Sequence, residues 1–301
     1  MNKPKLSIIV LSYNTKKLLF DCLSSLKNVR NEIDFEVIVP DNGSSDRSLQ
    51  MVKSEFPWVK AIDNKNNLGF AAGNNTARHC VNGEYILFLN SDTVVMKGTL
   101  KETVSYMDRN NKVGALSCKV LLPNGQLDRD TRRSFITPWI GFTHIFLKLD
   151  RVFPKSKLFA KYWYGYISEG VEHEVDVVQG AFILTRKKIL DDIGWFDEDY
   201  FLDGEDIDLC WRVKDAGWKI IYYPKVAILH LKGSSKGTNK FTKKQVPLKE
   251  KMKYRMAGVN SMEIFVRKRL WKKYPTVFNY FMLIGIKLVK LNRLIKLILF
   301  G

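Results

Sequence analysis

Residues 85–92 read YILFLNSD, an apolar run that stops at a carboxylate, Asp92. A run of this kind is expected as a buried parallel strand, which puts Asn90, Ser91 and Asp92 at its carboxyl edge, where open α/β sheets bind ligands. A carboxylate there is costly unless it is paired, solvated or holding a cation. One chemistry that fits is a hard divalent cation on a diphosphate; the other is an Asp capping the next helix. A second acidic group follows at Asp203, Glu205, Asp206 and Asp208, behind Trp195, Phe196, Tyr200 and Phe201. Acids at a helix start gain about 0.3–1 kcal/mol each from the helix dipole. One or two would achieve that, whereas four repel one another. The pattern therefore points to a walled pocket in which Glu205 or Asp206 acts as a general base.

Three further groups have two readings each. Asp41, in Asp41-Asn42-Gly43-Ser44-Ser45-Asp46, either belongs to a helix-capping turn or accepts hydrogen bonds from a pyrimidine base or ribose. Asn67 and Gly69, in NNLGFAAGNN at 66–75, either serve tight helix–sheet packing or bring backbone close to a polar ligand. That stretch lacks the Gly-Lys-Ser/Thr of a phosphate-binding P-loop and the Gly-x-Gly-x-x-Gly of a dinucleotide site. His230 closes a strand-like run and is either structural or completes a cation site begun by Asp92.

Elements that alternate along the first half must position these groups. Strands are expected at 6–11, 35–39, 59–62 and 85–89, and helices after the first two strands, at 69–80 and at 97–110. Repeated βα units imply an α/β fold, a mostly parallel central sheet flanked by helices. The second half is less regular. A strand is expected at 175–184, a helix at 203–216 with Gly217 after it, and two short strands around Pro224. Residues 137–166 are aromatic with little period, and 233–240 read as a polar loop of the sort that orders on a ligand.

The 301 residues suffice for a large core. Four dispersed cysteines argue against a zinc site or disulfide framework and suit a reducing cytosol, and no secretory leader is expected at the N-terminus. The net charge of +18 is concentrated: residues 241–301 hold 15 Lys or Arg against two acids. A basic tail suits nucleic acid, anionic lipid or an acidic polymer. The acids at 203–208 and the near-ordinary charge of residues 1–240 oppose nucleic acid.

Taken in order, SIIVLSYN at 7–14, Asp41-Asn42-Gly43-Ser44, Asn67-Leu68-Gly69-Phe70, Asn90-Ser91-Asp92, Gly180-Ala181, Glu205-Asp206 and His230 resemble the family 2 inverting glycosyltransferases of A-type fold, nearest the rhamnosyltransferase-like branch. The resemblance implies Asp41 on the pyrimidine, Asn67 and Gly69 along the nucleoside pocket, and Gly180 and Ala181 lining donor sugar and acceptor. It further implies that Asp92 and His230 hold Mg2+ or Mn2+ on the diphosphate and that Asp206 is the general base. Asn90 replaces the first Asp of the family's acidic signature, so cation affinity rests more on Asp92 and His230. The implied donor is dTDP-rhamnose, with a UDP-hexose next. A sugar nucleotidyltransferase is opposed by Ser12-Tyr13-Asn14-Thr15 standing where a Gly-rich basic loop is needed. The acceptor is expected to be a saccharide, lipid-linked in view of the tail: residues 276–286 are uncharged, then Lys287, Lys290, Arg293 and Lys296 recur among Leu and Ile. Residues 1–240 are thus expected as the catalytic domain. Residues 241–301 are expected as a basic, partly amphipathic helical tail on an anionic membrane surface, peripheral to its cytoplasmic face.

Overall fold

The computed structural model describes residues 3–231 and 248–300. The expected loop at 233–240 lies outside the described residues. In the first half, Leu6–Ile9 (β1), Phe35–Asp41 (β2), Lys60–Asp63 (β3) and Tyr85–Leu89 (β4) lie parallel in the order β3-β2-β1-β4. Between them run Lys16–Asn28 (α1), Ser48–Glu55 (α2) and Phe70–Asn75 (α3). Every residue of β1 and β4 is buried, which is why both read as unbroken apolar runs. Helix α1 buries Leu19, Cys22, Leu23 and Leu26, one stripe at three- and four-residue spacing. Each buried leucine contributes about 1.5–3 kcal/mol of transfer free energy.

Asp92 caps no helix, because the next element is a short strand, Thr93–Val95 (β5). Thr99–Arg109 (α4) and Val113–Leu121 (β6) follow, then Arg132–Arg133 (β7), Pro138–Ile140 (α5), Leu149–Val152 (α6), His173–Glu174 (β8) and Val177–Val178 (β9). The strand expected at 175–184 is broken, since Gln179, Gly180 and Ala181 leave the sheet before Phe182–Arg186 (β10). Strand β10 inserts antiparallel between β4 and β6.

After Lys187–Ile193 (α7) and Glu205–Asp215 (α8), Lys219–His230 (β11) runs parallel to β6. The two strands expected around Pro224 are this one strand with an irregularity. Between Tyr223 and Ala227 its partner on β6 advances only from Cys118 to Lys119. Proline has no N–H for the ladder, so a bulge is its tolerated place. Beyond the bulge β11 pairs antiparallel with β5, His230 opposite Thr93. The sheet path β4-β10-β6-β11-β5 therefore starts and ends within residues 85–95. It has to curl back on itself, and Asn90, Ser91 and Asp92 bridge its two ends.

Helices Leu248–Phe265 (α9) and Thr276–Phe300 (α10) share an apolar cluster of Val259, Phe265, Val266, Leu270, Leu283 and Ile286. Phe265 meets Trp211 of α8 edge to face at 5.4 Å, which docks this pair on the sheet domain. Two of the tail's cations reach across to α9 at the surface: Lys290 donates to Asn260 (3.0 Å) and Arg293 to the Arg255 carbonyl (3.1 Å). The outer side of α10 exposes Val277, Phe281, Ile284, Leu288 and Leu291. No helix among the described residues is long and apolar enough to cross a membrane.

Candidate active site

Four ties fix the turn at residues 90–92. The Asn90 N–H donates to the Ala181 carbonyl (3.2 Å), Thr93 Oγ1 donates to the Asn90 carbonyl (2.7 Å), and Thr15 Oγ1 donates to Ser91 Oγ (3.1 Å). The Leu231 N–H donates to the Asp92 carbonyl (2.9 Å), so strand pairing itself places His230 beside Asp92. His230 Nε2 lies 3.2 Å from Asp92 Oδ1, and its Nδ1 lies 3.3 Å from Asp128 Oδ2. All three side chains are buried. Burial works against the imidazolium, but the carboxylates of Asp128 and Asp92 outweigh it and push His230 up to about 9. Asp128 is itself held: Gln179 Nε2 donates to Oδ2 (3.1 Å) and the Asp130 N–H to Oδ1 (3.2 Å).

These groups suit a divalent cation. Once His230 gives up its Nε2 proton, a carboxylate on Nδ1 holds the tautomer whose Nε2 lone pair faces Asp92, a recurrent arrangement around metal-bound histidine. Among the described residues no group of three or more His, Cys, Asp or Glu could hold a metal ion. Asp92 and His230 could offer two donors, a partial shell of the kind that phosphate oxygens and water complete on Mg2+ or Mn2+.

The acids of α8 are sorted by partner. Asp208 is fully buried between Arg212 Nε (2.8 Å) and Arg269 Nε (2.6 Å), so its role is structural. Asp206 pairs through Oδ2 with Arg133 Nη2 at 2.5 Å, while its Oδ1 accepts the Ile207 N–H. Burial opposes the charge on Arg133, but the Asp206 carboxylate raises its pKa above the ordinary value. Four carboxylates are tolerated here because three guanidinium groups, Arg212 of α8 itself and Arg133 and Arg269 from other segments, meet two of them. Gly204, at φ +99°, opens the helix; a Cβ there would stand 2.8 Å from Ser261 Cβ of α9.

Asn42, Asn67 and Gly69 form an amide relay. Asn42 Nδ2 donates to the Gly69 carbonyl (2.9 Å), the Gly69 N–H to Asn67 Oδ1 (3.0 Å), and Asn67 Nδ2 to Tyr254 OH of α9 (2.8 Å). Gly69 lies at φ +87°, and a Cβ would fall 2.4 Å from the Phe201 carbonyl. Close packing thus explains this glycine. Asp41 keeps both of its readings: Oδ1 accepts the Ser44 N–H (2.8 Å) in a turn, while Oδ2 is buried without a partner among the described residues. Ser12 Oγ, on the neighbouring backbone bridge, is in the same condition.

One cavity of about 820 Å³ gathers most of these groups, within the range of about 300–1,000 Å³ usual for ligand sites. Asn67, Gly69, Asn90, Ser91, Asp92, Gly180, Ala181, Glu205, Asp206 and His230 line it, whereas Asp41 does not and reaches it only through Asn42. Sequence reasoning missed Asp128, Arg133 and Tyr254, which come from segments without a motif, and Gln179, which directly precedes Gly180-Ala181. It also missed the contribution of α9 and α10 to the wall.

Residues 7–194 match glycosyl transferase family 2. An N-acetylglucosaminyl-diphospho-decaprenol L-rhamnosyltransferase of Mycobacterium tuberculosis is 26% identical over 243 residues, covering 77% of this chain and 78% of that protein. The O-antigen biosynthesis protein RfbC of Myxococcus xanthus is 27% identical over 237 residues, 77% of this chain and 18% of that one. Among solved structures, mannosyltransferase PcManGT from Pyrobaculum calidifontis, in complex with GDP-Man and Mn2+, superposes with a TM-score of 0.56 at 18% identity, over 100% of this chain and 71% of that one. Residues 1–349 of S. aureus TarS, in complex with UDP-GlcNAc, give 0.52 at 20% identity, over 86% and 66%. The fold is the mixed α/β, A-type fold expected from the sequence.

Proposed function

The chain belongs to glycosyl transferase family 2, and from that premise we propose that it is a cation-dependent, inverting hexosyltransferase. Its donor would be a nucleoside-diphosphate sugar, dTDP-rhamnose first and a UDP-hexose second. Its acceptor would be a lipid-linked saccharide in bacterial surface polysaccharide synthesis. The observation that carries this reading is that Asp92–His230 and Arg133–Asp206 face one cavity. The similarity to a rhamnosyltransferase that acts on a diphospho-decaprenol saccharide supports the choice of substrates.

In this reading Asp41 is the pyrimidine contact, its Oδ2 buried without a partner among the described residues next to the cavity residue Asn42. Asn67 and Gly69 border the nucleoside, Asn90 and Ser91 the ribose, and Gly180 and Ala181 the donor sugar. Asp92 and His230 would hold Mg2+ or Mn2+, which when bound neutralises charge developing on the leaving diphosphate. Asp206, fixed by Arg133, takes the proton of the acceptor hydroxyl as that oxygen attacks the anomeric carbon from the face opposite the diphosphate. Glu205 adds negative potential beside it. The outer apolar side of α10 docks the enzyme on the cytoplasmic face of an anionic membrane.

Calorimetry tests the donor site. dTDP, UDP and GDP would be titrated with Mn2+ and with chelator, into wild type and Asp92→Ala. The expected result is cation-dependent binding of a pyrimidine diphosphate that the variant loses. Asp206→Asn should keep that binding and lose about 10²–10⁴-fold in turnover. Binding of no diphosphate, or near-normal turnover in Asp206→Asn, would overturn the assignment.

A further inference from the structure

The cavity that holds Asp92 and Asp206 has one wall with no polar purpose. It runs between Gly141–Phe146 and the face of α10 that carries Phe278, Phe281, Met282 and Val289. Those positions recur at three- and four-residue spacing, so they form one stripe. The groove is open along its length: Phe146 is 52% exposed and Phe281 66%. Its two sides meet at Gly285, where a Cβ would stand 3.2 Å from Cζ of Phe146. Glycine inside a helix is disfavoured relative to alanine, and here it lets a phenyl ring lie on the helix backbone. Gly141–Phe146 is wound as a π-helix, a form retained mostly at functional sites.

A nucleotide sugar is polar along its whole length and gains nothing from this wall. A bilayer lipid would gain from it but has no cause to reach Asp206. One kind of molecule needs both ends of the cavity: an acceptor with a reacting hydroxyl and a long hydrocarbon chain. We propose that the groove between Gly141–Phe146 and α10 seats the hydrocarbon chain of a lipid-linked acceptor, a deepening that rests on the glycosyl-transfer reading. The chain leaves along the exposed apolar stripe of α10 toward the membrane. Lys253, 3.5 Å above the ring of the cavity-wall residue Phe201, offers a positive charge for the diphosphate that joins chain to saccharide.

The test needs no sugar. A benzophenone-tipped farnesyl diphosphate is irradiated with the full chain and the adducts are mapped by peptide sequencing. Adducts are expected within residues 141–147 and 278–289. Unlabelled farnesyl diphosphate should compete and UDP should not. Phe281→Ser, at a residue too exposed to decide folding, and Val289→Trp, which fills the groove, should each cut labelling about tenfold, as expected for losing one large apolar contact. In the same variants, kcat/KM for a long-chain acceptor relative to the same saccharide on a short soluble aglycone should fall by about the same factor. Adducts elsewhere, labelling indifferent to both variants, or an unchanged acceptor ratio would overturn the proposal. Groove adducts with no transfer from any nucleotide sugar would instead sink the transferase chemistry and leave the groove standing. Nucleotide-dependent transfer without groove adducts would do the reverse.

Discussion

Asp128→Asn removes one of the two carboxylates that flank His230 while preserving shape. The gap between an ordinary imidazole at 6.5 and about 9 corresponds to about 3 kcal/mol, since each pH unit of displacement is about 1.4 kcal/mol. Burial opposes the charge, so the two carboxylates together supply more than this net gap; they stand at similar distances, 3.3 Å for Asp128 and 3.2 Å for Asp92. The side chain is only 5% exposed, which leaves little solvent screening to discount. Removing the Asp128 charge should therefore lower the His230 midpoint by about one pH unit or more and cost on the order of 1–2 kcal/mol of stability. The sign fixes the pH window. A histidine whose folded value is raised stabilises the fold fully below about 6.5 and loses that contribution as pH climbs through about 9. The deficit of Asp128→Asn should thus be largest near about pH 6 and nearly gone by about pH 9.5. Imidazole resonances titrated by NMR, with His230→Gln to assign the signal among the four histidines, give the midpoint; urea unfolding at both pH values gives the stability. A wild-type His230 that titrates near 6.5, or a variant equally destabilised at both ends, would refute the reasoning.

Asp208→Asn strips the shared charge from the fully buried partner of Arg212 and Arg269 and leaves two partly buried guanidinium groups opposed; urea unfolding should show a loss of about 3 kcal/mol, and a loss under about 1 would mean that the pair is solvated. Binding of Mn2+ with a nucleoside diphosphate near about pH 7.5 should release about one proton, the one His230 carries. Calorimetry in buffers of different ionisation enthalpy would read it, and His230→Gln should release none. Val277→Glu with Ile284→Glu, both on the exposed apolar side of α10, should weaken co-sedimentation with anionic vesicles about tenfold or more without moving the unfolding midpoint; unchanged sedimentation would remove α10 from the membrane contact.

What was legible in the chain was what local pattern encodes. Strands β1 and β4 are buried on both faces and therefore read as apolar runs, and the carboxylate ending β4 does stand at the sheet edge. The α8 acids were recognisable as crowded, yet their division into the structural Asp208 and the cavity-facing Asp206 depends on Arg269 and Arg133, which lie far away in sequence. Asp128 sits in a short polar stretch after β6 with no spacing to mark it. Only the β5–β11 pairing and the bulge at Pro224 carry His230 to it. Strand β5 has three residues, too few to show a period, and so Asp92 was open to a helix-capping reading. Residues 137–166 gave an aromatic composition but no face, because they wind into several short helical turns. Gly69 was open to two readings in the sequence; the Phe201 carbonyl nearest its missing side chain explains why it is glycine, and the residue also lines the cavity.

The curled strand path also bears on how the molecule folds. Residues 90–92 bridge strands whose intervening neighbours come from positions 113–121, 182–186 and 219–230. The parallel half, β3-β2-β1-β4, is assembled from the first 89 residues and can form early from contacts of modest sequence separation. Closing the ring must wait for β10 and β11, and that closure spans well over one hundred residues, so it is entropically late. A chain emerging from the ribosome would thus acquire most of its core before Asp92 and His230 ever meet. Partly folded intermediates would be compact but blind to cation and donor. Ligand binding would then stabilise only the finished sheet, raising the barrier to complete unfolding and leaving the early half to stand or fall on its own core.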